Sequence, residues 1–301
     1  MSRDWESTFR AWSKPSSETE QQKCENAERM VRSAAKESIA LKWKDIDVFA
    51  QGSYRNNTNV RTDSDVDICV LCKNTFFYDL SMAQGLTPAG LGIVPGDYTY
   101  PQFKCDVAEA LYDKFGRTYV TRGNKAFHIH ENSYRVDADA VPCFEHRRYM
   151  TSPVTGIYYL SGTELRPHNG GKVINWPKQN YENGVAKNEE TGNRFKYMVR
   201  ILKRLRNEMT DNGVQAAKPI SSFLIECLVW NVPNEAFGHA EYIVDVRWIL
   251  AHTFNATLSN ETCNEWGEIN ELKYLFRGGQ PWSREQAHAF LQAAWDYVGF
   301  Q

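Results

Sequence analysis

The sequence predicts an α/β fold, and three observations predict it. Short runs with period-two alternation or β-branched content fill the first half, at residues 47–51, 68–72, 126–130 and 134–141. Long amphipathic helical patterns fill the second half, led by residues 193–210, where Phe195, Met198, Val199, Leu202, Leu205 and Met209 make one apolar stripe. A length of 301 residues fits one large domain or two small lobes sharing a cleft.

At the N-terminus, residues 4–12 form a first amphipathic segment that ends before Pro15. Ser17 and Glu20 have the spacing of a capping box, which opens a helix predicted to run to about Trp43. Strand 47–51 leads into Gly52 and Ser53, and strand 68–72 follows Asp63, Ser64, Asp65, Val66 and Asp67. On a strand, Asp65 and Asp67 project to one side while Val66 and Ile68 pack behind them. Two carboxylates in one small volume repel, so one takes a proton or both recruit a cation. Magnesium suits them, because it binds a few carboxylates together with substrate phosphates, and manganese is an alternative. Gly52 and Ser53 at the preceding turn offer the close backbone approach and the N–H groups that a phosphate needs.

Residues 73–113 are punctuated by Gly85, Pro88, Gly90, Gly92, Pro95, Gly96 and Pro101 and read mostly as a long loop, with a helix over 105–115. Runs 126–130 and 134–141 then read as a hairpin. His128 and His130 share one face and are expected to be polar strand-face residues. Arg135, Asp137 and Asp139 share a face of the second run, which can bring a third carboxylate beside Asp65 and Asp67. Periodicity leaves Asp137 and Asp139 both open. Residues 150–190, rich in Gly, Pro and Asn, read as a crossover between lobes, and helices over 219–232, 241–258 and 283–298 complete the chain.

Composition sets outer limits. The formal net charge is −2, from 35 Lys+Arg against 37 Asp+Glu, so no global basic excess argues for obligatory wrapping of nucleic acid. Seven cysteines, an odd number, fall in apolar segments, and the Cys69–Cys72 spacing lies on a strand whose alternation turns the two thiols to opposite faces. Buried thiols in a reducing compartment are expected. With no apolar leader and no run long enough to span a bilayer, the expectation is a cytoplasmic protein away from membranes.

Gly52 and Ser53 followed by Asp65 and Asp67 match the signature of the DNA polymerase β-like nucleotidyltransferase superfamily. Asp139, Ala140, Val141 and Pro142 fit the third-aspartate pattern of one branch, and so does the run Asn183 to Asn188 leading into residues 195–206 and then Ser221 and Ser222. Over nearly its whole length the chain resembles that branch, the cGAS/DncV-like nucleotidyltransferases, or CD-NTases. The resemblance implies a two-lobed fold. A core with the long N-terminal helix and a mixed sheet carrying the aspartates would span 1–180, and a helical C-terminal lobe would span 181–301. It selects Asp139 as third ligand, with Asp137 as runner-up, and places Gly52, Ser53, Lys203 and Ser222 on the donor nucleotide. It further implies NTP substrates, ATP plus GTP or a pyrimidine NTP. The product would be a cyclic di- or trinucleotide that activates a downstream effector in CBASS-type antiphage defence, made by a monomer with Mg²⁺ or Mn²⁺. Two other readings stand beside it: transfer of a nucleotide to an RNA end, small molecule or protein, and an RNA or nucleotide sensor on the same fold.

Overall fold

The computed structural model describes residues 3–60 and 65–301. Asp63 and Ser64, part of the polar span between Ser53 and Asp65, lie outside the described residues. The chain divides into two compact units. One comprises Ser17–Arg55 and, among the described residues, 65–178; the other comprises residues 3–16, Asn56–Val60 and Gln179–Gln301.

The first unit is built on a seven-stranded mixed sheet: β1 (Ile46–Ala50), β2 (Val66–Met82), β3 (Val120–Arg122), β4 (Phe127–Ile129), β5 (Ala138–Ser152), β6 (Gly156–Leu165) and β7 (Val173–Asn175). Its main path runs β1-β2-β5-β4-β3, and β6 pairs with the far end of β5 and with β7. The β2–β5 pair is parallel and all other pairs are antiparallel. Val66, Ile68, Phe127, Ile129, Ala138 and Ala140 are fully buried and supply the apolar side of this sheet. Gly162 is required on β6, since a Cβ there would stand 2.7 Å from the Asn175 carbonyl oxygen and 2.8 Å from the buried Trp176 ring.

Helices complete the list in chain order: α1 (Trp5–Trp12), α2 (Glu18–Glu37), α3 (Gly52–Arg55), α4 (Tyr100–Phe115), α5 (Pro177–Glu190), α6 (Arg194–Asp211), α7 (Ser222–Trp230), α8 (Tyr242–Ala256), α9 (Asn260–Cys263) and α10 (Arg284–Val298). Ser17 caps α2 by accepting the Glu20 N–H. Ala27, Val31, Ala34 and Ala35 of α2 join Phe103, Val107 and Leu111 of α4 and the strand residues in one apolar core. The second unit has its own core, in which Phe9 of α1 packs with Phe195, Met198 and Leu205 of α6, Leu224 of α7, Ile249 of α8 and Phe290 of α10. Among the described residues, no helix is long and apolar enough to cross a membrane.

Three expectations need correction. The α2 helix stops at Glu37, well short of Trp43, because Ser38 takes extended backbone (φ −63°, ψ 131°) and the chain must reverse to enter β1. Much of the segment expected to be loop after Lys73 is strand: β2 continues to Met82, past a register shift between Cys72 and Phe76, alongside the similarly long β5. Residues 150–190 are not an open crossover but carry the end of β5, then β6, β7 and α5. Pro177, placed at the first position of α5, is the start signal that composition masked.

Candidate active site

The sheet register builds the site. Asp67 on β2 is paired with Asp139 on β5, Asp139 is paired with His128 on β4, and His128 is paired with Thr121 on β3. Paired residues on neighbouring strands point to one face, so these side chains form a row across the sheet, opposite the buried Val66, Ile68, Ala138 and Ala140. Asp65, one residue before β2, returns to the same face.

Gly52 frames the row from the β1 side. The Gln51 N–H donates to the Asp67 carbonyl oxygen at 2.8 Å, and Gly52 then turns the chain with φ +66°. A Cβ on Gly52 would lie 2.9 Å from Asp67 Oδ2, so glycine is needed both for the turn and for the space the carboxylate occupies. Ser53 follows on α3 and is partly buried. Tyr54 anchors that turn by donating its hydroxyl to Glu20 Oε1 at 2.8 Å. Gly52→Ala is expected to cost about 1 kcal/mol of stability, because an alanine resists this backbone conformation. It should also lower activity, because the Asp67 carboxylate is displaced; denaturant melts and a turnover assay check both.

The electrostatics are those of carboxylates without enough positive charge. Burial, then the charges of Asp139 and Asp65, push Asp67 up to about 6. Asp65 is also raised, mainly by burial, with His128 opposing and Asp139 and Asp137 reinforcing. A carboxyl raised on folding holds its proton in the native state at a pH where the unfolded chain has lost it. Its contribution to stability is therefore full in acid and is lost as pH rises through about 6. In chelator, Asp67→Asn should raise the melting temperature at pH 7.5 and gain much less at pH 5.

Sequence reasoning missed the reach of His128. Its Nδ1 lies 3.2 Å from Asp139 Oδ1 and 3.5 Å from Asp65 Oδ2, and its Nε2 lies 3.6 Å from Asp137 Oδ1. The signal was present in the hairpin, whose antiparallel register sets His128 opposite Asp139. Asp137 falls just outside β5, and its Oδ1 accepts the Glu131 N–H at 2.6 Å.

Lys203 and Ser222 belong to the helical unit. Lys203 on α6 is only 1% exposed. Its ammonium donates to the Thr58 carbonyl oxygen (3.0 Å), the Thr58 hydroxyl (3.2 Å) and the Glu226 carboxylate. Ser222 opens α7, where its Oγ accepts from Arg206 Nη2 at 2.8 Å, while Ser221 is the cap, accepting the Leu224 N–H.

Comparison with known proteins shows the family. Residues 32–153 match the nucleotidyltransferase domain model, and residues 182–299 match the C-terminal helical domain of cGAS/DncV-like nucleotidyltransferases. A cyclic dipyrimidine nucleotide synthase, CdnE, of Legionella pneumophila is 50% identical over 298 residues, covering 99% of each chain. The chain belongs to the cGAS/DncV-like nucleotidyltransferases. A second CdnE of the same description, from Cecembia lonarensis, is 39% identical over 301 residues and covers all of both chains. Among solved structures, an Elizabethkingia meningoseptica CdnE cyclic dinucleotide synthase with GTP and Apcpp matches with TM-score 0.81 and 34% identity, over 98% of this CD-NTase and 99% of that chain. The Rhodothermus marinus CdnE c-UMP-AMP synthase with Apcpp and Upnpp matches with TM-score 0.84 and 31% identity, over 98% and 97%. The fold is thus that of a CD-NTase, a nucleotidyltransferase with a mixed sheet and a helical C-terminal domain, and NTPs are the substrates of its class.

Proposed function

We propose that this CD-NTase joins two pyrimidine NTPs into a cyclic dinucleotide at the face carrying Asp65, Asp67 and Asp139. The observation that carries the reaction is the register of Asp67 with Asp139 on parallel strands, with Asp65 beside them. The choice of pyrimidines rests on the two CdnE relatives that match the chain end to end, both of which are cyclic dipyrimidine nucleotide synthases.

The residues fit a divalent cation. Three carboxylates share a face backed by apolar strands, and burial together with their like charges raises Asp65 and Asp67, a cost that a bound cation would offset. Oxygen-only carboxylate donors favour Mg²⁺, with Mn²⁺ as a substitute. When bound, such cations neutralise triphosphate charge and lower the pKa of an acceptor hydroxyl. Asp65 and Asp67 would hold the cation shared with the donor triphosphate, and Asp139 would complete the acceptor side. Asp139 takes the hydroxyl proton as that oxygen bonds to the α-phosphorus, and the bond to the β-phosphate oxygen breaks to release pyrophosphate. Repeating the step on the linear product closes the ring. Gly52 keeps Asp67 in place, and Ser53 contacts the outer phosphates.

Lys203 and Ser222 enter the proposal by matched position as triphosphate contacts. For Lys203 this requires a phosphate to take the place of Glu226 on its ammonium. Signalling to a downstream effector in antiphage defence, the monomeric state and a cytoplasmic location rest on family membership.

Incubating the protein with the four labelled NTPs and Mg²⁺ tests the reading. A phosphatase-resistant product with the mass of a cyclic dipyrimidine dinucleotide is expected without any added acceptor. Label that transfers only when RNA, a small molecule or a protein is added would replace it with the simple-transferase reading.

A further inference from the structure

We propose that His128, His130 and Asp137 form a transition-metal site of the zinc class, adjoining the face of Asp65, Asp67 and Asp139, toward which His128 turns its other ring nitrogen. One ligand atom from each of the three lies within 4.8 Å of the others. Two imidazoles with one carboxylate form a donor set that suits Zn²⁺ and its neighbours rather than Mg²⁺, and three protein ligands leave a fourth position open to water.

The contacts around each ligand strengthen the assignment, because metal-binding side chains are oriented by partners on their other atoms. His128 has Nδ1 3.2 Å from Asp139 Oδ1 and Nε2 on the side of Asp137, so its two ring nitrogens face different carboxylates. In the tautomer that carries its proton on Nδ1, the Nε2 lone pair and the Asp137 oxygen 3.6 Å away can share a metal ion. His130 is oriented by the contact of its Nε2 with the Thr121 hydroxyl, at 3.0 Å. The two rings meet edge to face at 4.8 Å between centroids. Asp137 is held by the Glu131 N–H. All the residues involved lie in the sheet unit, with His128 on β4, His130 just past its end, Asp137 at the entry to β5 and Thr121 on β3. The hairpin returns Asp137 to the two histidines, which in this proposal are ligands rather than plain strand-face residues.

Cobalt(II) is the probe, since a four-coordinate site with nitrogen donors gives it visible absorption bands, and Zn²⁺ then competes it away silently. Metal-free full-length protein is titrated with Co²⁺, and so are His130→Ala, an exposed position, and Asp65→Ala with Asp67→Ala. Wild type and the double aspartate variant should give the same bands, bleached by Zn²⁺ and unaffected by excess Mg²⁺, while His130→Ala should lose at least about tenfold in affinity. Absence of bands in wild type would overturn the proposal. So would bands that survive His130→Ala unchanged, or bands that vanish in the double aspartate variant, which would assign the metal to the aspartate face.

Discussion

Asp65→Ala together with Asp67→Ala is expected to lower nucleotidyl transfer by on the order of 10³-fold or more, while the metal-free variant melts no lower than the wild type. The two halves of that result have one cause. Asp67 sits against Asp139 in register and shares the face with Asp65, and its acidity is weakened by burial and by both neighbours. Removing two of three crowded charges removes the proposed ligands of the cation and relieves the repulsion in the same step. Product assay and thermal melts on one preparation read both halves. Full activity in this variant would remove the aspartates from the reaction. Asp137→Asn and Asp139→Asn, made singly, then separate the third ligand from its neighbour, with the larger loss expected for Asp139.

Lys203→Met is expected to act first on stability, by about 3–5 kcal/mol in urea unfolding. The ammonium is almost fully enclosed between Thr58 and Glu226, and burial pulls it below its ordinary value against the opposing charge of Glu226. Truncation leaves the Glu226 carboxylate buried without its cation, which is the costly outcome. A second change, Glu226→Gln, in the same chain should recover a large part of the loss, because the stranded charge goes with it. Loss of donor-NTP affinity in the stable double variant would support Lys203 as a phosphate contact. An unchanged KM there would restrict it to holding Thr58 in the helical unit.

How much could be read in advance depended on how local the cause was. The two strands flanking Gly52 and Asp67, the cap at Ser17 and the stripe of α6 were legible because each is set by neighbouring residues. The lengths of β2 and β5 were not. Lys73, Asn74 and Asp79 interrupt the apolar pattern of β2, and only the facing strand, through a shifted register, keeps it extended to Met82. The same holds for the carboxylate face. Asp65 and Asp67 announced themselves by alternation, whereas the seat of Asp139 beside Asp67 is a property of a parallel pairing between strands far apart in the chain. The crossing of Asn56–Val60 into the helical unit, where Thr58 and Asn59 are buried, is likewise invisible to periodicity. Its cause is the partners it finds, Arg200 and Lys203, which bond the carbonyl oxygens of Asn57 and Thr58. For Lys203, a charge that would ordinarily sit on the solvated side of an amphipathic helix, the fold shows an enclosed ammonium.

In the proposed reaction, Asp65, Asp67 and Asp139 together hold the divalent cation. Crystals grown with Mn²⁺ and a non-hydrolysable pyrimidine triphosphate test it most directly, through the anomalous scattering of manganese. A peak about 2.0–2.2 Å from carboxylate oxygens of all three aspartates, bridged to the triphosphate, is the predicted result. A nucleotide bound with its manganese held by other side chains, and these three carboxylates without contact to it, would contradict it.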